Sequence, residues 1–143
     1  MNLLVFLHVV CAGIWLGAAL VEVAFEQALD LSPSRRAPAL ALRWKTDLFI
    51  VTPAFLGVAV TGIGMLAFAP LTPLLSAKVA FGAIAVLANA YCVWLARQRL
   101  ALAEARDYLS FARVDAEQRR WGAVALLGLV AALVVGGAIF LGY

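Results

Sequence analysis

Residues 122–143 read GAVALLGLVAALVVGGAIFLGY, twenty-two positions without one charged side chain. A helix needs about 20 apolar residues to cross a bilayer, so this stretch decides the fold class. It also satisfies its backbone hydrogen bonds within one segment, as lipid demands. Three more runs of similar length lie upstream. Residues 3–29 are broken only by His8, Glu22 and Glu26, residues 48–69 hold no charge, and residues 71–96 hold Lys78 and the amide of Asn89. None of them alternates in the manner of a barrel strand. The sequence therefore predicts an all-α polytopic membrane protein, a single domain over residues 1–143 built as a four-transmembrane-helix bundle.

Composition agrees. Hydrophobic residues make up 66% of the 143 positions and charged residues 13%, with a mean hydropathy of +1.02. A soluble domain carries roughly 25% charged residues, and a chain this short has too little interior to hide the excess. A net charge of +3, with no basic stripe interleaved by aromatics, excludes an ordinary nucleic-acid binder. Two cysteines exclude a disulfide scaffold. Cys11 and Cys92 fall in opposite halves of the bilayer, too far apart to bridge. The first run has no basic flank and exceeds the roughly 7–15 residues of a signal-peptide core, so it reads as a retained first helix.

Basic residues set the expected orientation. Four lie between the first two runs (Arg35, Arg36, Arg43, Lys45) and six between the last two (Arg97, Arg99, Arg106, Arg113, Arg119, Arg120). The turn at residues 70–73 has none. The positive-inside rule then places connections 30–46 and 97–120 in the cytoplasm and both termini outside the cell membrane. Connection 97–120 is rich in helix formers and reads as extensions of its flanking helices, turning near Ser110. Its arginines either set topology or meet anionic lipid headgroups.

Small residues mark helix contacts in membranes. Gly13 and Gly17 have GxxxG spacing, and Gly128, Ala132 and Gly136 form a second small row; either face suits a homo-oligomer contact. On the third run, Lys78, Gly82, Ala85, Asn89 and Cys92 fall at steps of three and four and share one face. On the first, His8, Trp15, Glu22 and Glu26 lie within about 40° of one another. These two polar stripes are expected to face each other. Pro53 deprives the Phe49 carbonyl of its usual donor, which predicts a kink.

Depth sorts the polar residues into two layers. His8, Lys78, Thr61, Met65 and Gly136 share one level in the outer half, where an ionisable group is costly unless it faces a cavity or partner. One reading is a pocket with His8 as axial ligand or proton carrier and Lys78 as a cation for carboxylates; the other is a hydrogen-bonded histidine and a snorkelling lysine. Glu22, Glu26, Thr52 and Asn89 form the inner layer, flanked by Lys45 and Asp47. Glu22 and Glu26 are expected to pair with Lys45 or Arg43; a metal- or proton-handling role is the alternative. Metal-protease, redox-dithiol and phosphate-loop motifs are missing.

The stretches LHVVCAGIWLG (7–17), KTDLFIVTPA (45–54) and SAK (76–78) resemble the small four-helix membrane proteins grouped around the HemJ-type protoporphyrinogen oxidases and the CopD-like membrane domains. Two elements of the former are replaced, by VEVAFE (21–26) and AEQRRW (116–121). The resemblance covers nearly the whole chain and implies function at His8 and Lys78, with b-type haem. Trp15, Lys45, Thr52, Pro53 and Gly62 match surrounding positions. The resulting expectation is haem or porphyrin held by His8, Lys78, Trp15, Thr61, Met65 and Gly136, in an oxidoreductase or electron-transfer role beside a membrane redox partner. A non-enzymatic membrane subunit acting through helix contacts is the other expectation.

Overall fold

The computed structural model describes residues 3–29 and 36–142. Every element in them is helical: α1 (Leu3–Leu29), α2 (Arg36–Thr46), a π-helical turn (Asp47–Val51), α3 (Thr52–Leu66), α4 (Pro73–Glu104) and α5 (Tyr108–Phe140). Because α2, the π turn and α3 run on without a break, four helical rods result, each long and apolar enough to cross a membrane. This is the make-up of a multi-pass membrane protein. Large apolar side chains such as Ile63, Leu87, Leu127 and Val134 point outward, as lipid-facing residues do.

The start of the second rod and the turn between the last two helices differ from the sequence expectation. The second rod starts at Arg36 rather than near residue 48, so most of the expected connection 30–46 is helix. Residues 30–35, including Arg35, lie outside the described residues. The last two helices extend through nearly all of 97–120, but they turn at 105–107 rather than at Ser110. There Arg106 adopts φ 58°. The N–H of Arg106 donates to the Ala103 carbonyl (3.3 Å) and that of Asp107 to the Leu102 carbonyl (3.1 Å). These are the two bonds of a Schellman stop, with arginine where glycine is usual. Asp107 then caps α5, accepting the Ser110 N–H at 3.1 Å; the Ser110 side chain and this N–H together hold its carboxyl below the ordinary carboxylate range. Ser110 thus belongs to the start of a helix. At the other end Thr72 caps α4 by accepting from Leu75 N–H, with Pro73 in the first turn, where its missing N–H costs nothing.

The disturbance expected at Pro53 takes the form of the π turn just before it. The Asp47 carbonyl receives the N–H of Thr52, five residues on, and the Thr52 hydroxyl at 2.8 Å. One extra residue per turn lets the rod absorb a proline without losing continuity.

Packing is uneven. The α4–α5 hairpin has the most extensive contact, α1 lies along α3, and α2 lies along α4, whereas α1 and α5 touch little. Close approach at glycine explains the two main seams. A methyl group on Gly128 would sit 3.1 Å from the Phe81 carbonyl and 3.2 Å from Ala85 Cβ. One on Gly57 would sit 2.6 Å from Cys11 Sγ. The row containing Gly128 is therefore occupied by α4 within the chain and is not free for a second copy. Gly13 and Gly17 are exposed, with nothing within 4 Å of where a Cβ would stand. The core between the rods is Trp15, Val51, Ala54, Phe55, Ala85 and Leu129, with the Trp15 and Phe55 rings 5.9 Å apart.

Candidate functional site

The polar residues fall at two ends of the bundle. The histidine end gathers the start of α1, the end of α3, the start of α4 and the end of α5. Thr61 anchors it. Its hydroxyl lies 2.6 Å from the Gly57 carbonyl and 2.9 Å from His8 Nδ1. A hydroxyl has one proton. Donation to the carbonyl leaves the Thr61 oxygen to accept from His8 Nδ1–H, so Nε2 carries the lone pair. Gly62 gives the ring room: a methyl there would stand 3.4 Å from His8 Cε1.

Lys78 rises from α4 and lies against α5, where a methyl on Gly136 would stand 3.1 Å from its Cε and 3.3 Å from its Nζ. Both side chains are half-buried. The structure pairs His8 with Thr61 and Lys78 with Gly136 at this end of the bundle. Met65 lies one turn beyond Thr61, partly buried. Trp15 does not join them. It is buried in the core, and its indole N–H donates to Asn89 Oδ1 at 3.2 Å, so it belongs to the other end.

The arginine end is denser. Arg43 pairs with Glu22 at 3.4 Å, with Glu26 and with Asp47 at 3.8 Å. Arg99, only 3% exposed, grips both oxygens of Glu26 at 2.8 and 3.2 Å. It also reaches Asp115 at 2.5 Å and Gln118 Oε1 at 3.2 Å. Arg119 meets Asp115 at 3.0 Å from a half-exposed position. Phe111 lies between the guanidiniums of Arg36 and Arg99, 5.5 and 5.6 Å from its centroid.

Glu22 and Glu26 therefore take the pairing role, through Arg43 as expected but through Arg99 instead of Lys45. Lys45 is exposed. Among the described residues no group of three or more His, Cys, Asp or Glu side chains converges to hold a metal ion. Thr52 is a backbone-bonding residue of the π turn and turns its hydroxyl away from this cluster's carboxylates. Cys11 and Cys92 are free thiols, one against Gly57 and the other near the Gln118 carbonyl.

Arg99, Asp115 and Gln118 were read in the sequence as parts of a connection, and the signal for their true place was available. The Lys78–Cys92 face continues in steps of four and three to Ala96 and Arg99. The Gly128 row runs back through Ala125 and Gly122 to Gln118, and Asp115 lies one turn earlier.

Beside the cluster, between the weakly packed α1 and α5, lies a cleft of about 350 Å³ with Trp15, Asn89 and Gln118 in its wall. Comparison of the chain with protein-family models, with curated proteins and with solved structures returns no match.

Proposed function

We propose that the chain is a membrane haem or porphyrin protein with a redox role, its ligand held at the histidine end in the outer half of the bilayer. The observation that carries this reading is the contact of His8 Nδ1 with the Thr61 hydroxyl at 2.9 Å. With that hydroxyl donating to the Gly57 carbonyl, Nδ1–H would be held by Thr61 and Nε2 left to a ligand; a ligating histidine is commonly held this way by its other nitrogen. Lys78 would supply a cation for a propionate, and Gly62 and Gly136 make room for the His8 ring and the Lys78 side chain themselves. The donor set fits a haem with one protein ligand. The group, when bound, would supply one-electron chemistry. His8 would hold or exchange a proton at Nε2, and Lys78 would orient an acidic substituent.

The basic residues support an orientation with both termini outside the cell membrane and the arginine end in the cytoplasm. The direct experiment is an absorption spectrum of the detergent-purified protein with and without added haem. A Soret band is expected in the wild type and lost in His8→Ala, while Lys78→Met weakens retention without abolishing it. No Soret band after haem supplementation overturns the reading.

A second reading, a scaffold subunit or homo-oligomer, is favoured by the open Gly13–Gly17 stripe, since exposed GxxxG faces suit close contact with another helix. Gly17→Leu should then dissociate the assembly on size exclusion while His8→Ala leaves it intact.

A further inference from the structure

The cleft between α1 and α5 is walled by apolar side chains, among them Trp15, Ala19, Val23, Leu126 and Leu129. Several polar atoms with no hydrogen-bond partner among the described residues belong to side chains that line it. They are Asn89 Nδ2, Gln118 Nε2, Arg43 Nε, Arg99 Nε and Glu22 Oε1. Asn89 is 8% exposed and Gln118 3%. A buried amide left without a partner loses its hydration with nothing in return, so orphans on two such residues around one cavity call for an explanation.

Their chemistry is selective. Each amide already uses its oxygen: Asn89 Oδ1 accepts from Trp15, and Gln118 Oε1 from Arg99. What remains is donors, four nitrogens against one carboxylate oxygen. An occupant must therefore bring acceptors. A negative charge finds no unengaged cation here, because Arg43, Arg99 and Arg119 are each already paired with Glu22, Glu26, Asp47 or Asp115. Apolar walls with a few convergent polar groups, in a volume of this order, describe a small-molecule site.

We propose that this cleft binds a neutral, largely apolar molecule through carbonyl oxygens that accept from Asn89 Nδ2 and Gln118 Nε2. A quinone ring is the compact form of that chemistry, and the ester carbonyls of a lipid are the other source. The site is separate from His8 and does not rest on haem binding.

The test uses the full chain purified in detergent, titrated with decylubiquinone while tryptophan fluorescence is followed, since Trp15 lines the cleft. Saturable quenching is expected. Gln118→Leu and Asn89→Leu each weaken it about five- to tenfold, the worth of one hydrogen bond. Ala19→Phe, which fills the cleft and leaves both amides in place, abolishes it; this variant keeps the test meaningful should Asn89→Leu fail to fold. A parallel titration with a short-chain diacylglycerol distinguishes the sources: tighter, Gln118-dependent binding there assigns the site to a lipid ester. Unsaturable quenching by both compounds, or equal binding by wild type and all three variants, overturns the proposal. In either case water serves the orphan donors. Retained quinone binding in His8→Ala protein without a Soret band leaves this site standing while the haem reading falls.

Discussion

The two ends of the bundle hold ionisable groups in opposite ways. At the histidine end, two half-buried groups on different helices share a level. A hydrogen bond between His8 and Thr61 ties α1 to α3, and Gly62 and Gly136 admit the His8 ring and the Lys78 side chain. At the arginine end, charged and amide side chains from α1, α2, α4, α5 and the π turn form one continuous network around Arg43 and Arg99. The contrast separates stability from reactivity. Ion pairs shared among five elements fix how helices sit, whereas a group held by one hydrogen bond can still act on something else.

The sharpest way to break this comparison is to remove one cation from each end. Arg99→Met leaves Glu26 and Asp115 without their shared partner in a buried setting, and removal of one member of a buried pair costs about 3–5 kcal/mol. Lys78→Met removes a half-buried ammonium that lies along Gly136 and should change stability by less than about 1 kcal/mol. Unfolding in mixed micelles with increasing SDS measures both. Equal losses would show that the histidine end is as structural as the other.

Gly128→Leu tests whether the helix seams stand apart from either end. The new side chain meets the Phe81 carbonyl and Ala85 almost at once, and overpacking of this kind costs roughly 1–3 kcal/mol. The α4–α5 hairpin should separate locally, with faster amide exchange in both helices. Gly17→Leu, with open space around it, should leave the monomer's stability unchanged.

Much of this arrangement was legible in the residues, and the exceptions share a cause. Length and apolarity alone mark the four rods, because lipid allows few other solutions. His8, Lys78, Thr61 and Gly136 could be brought to one level by counting rise per residue, since straight helices carry depth faithfully. Arg99 and Gln118 lie on the helical extensions expected over 97–120, but within so charged a stretch they read as solvated, whereas the structure buries them. Charge ends an apolar run long before it ends a helix, and both residues continue faces already identified inside the membrane. Trp15 was misplaced for a different reason. Face angle put it with His8, but its depth, two turns further along α1, puts it against Asn89. The π turn had a local signal in Pro53, which predicts a disturbance without specifying whether it becomes a bend or an extra residue.

Thr61→Val sharpens the histidine end itself. It keeps the shape and removes the hydroxyl, so the loss in stability should be near 1 kcal/mol, the usual net value of one hydrogen bond. The larger effect belongs to the ligand. With Nδ1 no longer held, His8 can present either nitrogen, and the Soret band should broaden or shift. An unchanged spectrum with bound haem would mean that Thr61 does not orient the ring.

At the turn of the arginine end, Arg106 contributes its backbone more than its charge. A non-glycine residue at φ 58° pays roughly 1 kcal/mol or more relative to an ordinary conformation, so Arg106→Gly should raise stability by a fraction of that amount. A loss instead would assign the guanidinium a contact that offsets the strain.

The smallest effect is the pH response of the same turn. Asp107 accepts as a carboxylate from the Ser110 side chain and then from its N–H, and these bonds lower its pKa below that of an unfolded aspartate. A depressed carboxylate adds stability that is fully present above the unfolded value and lost as pH falls through the folded one. The α4–α5 turn should therefore hold unchanged from neutrality down to about pH 4 and loosen below it. Because the carboxyl is fully exposed, the change is confined to the first turn of α5. Amide exchange at Ser110 should accelerate in acid relative to Asp107→Asn, whose cap does not titrate; parallel pH profiles for the two proteins would remove the carboxylate from the account of how this turn is held.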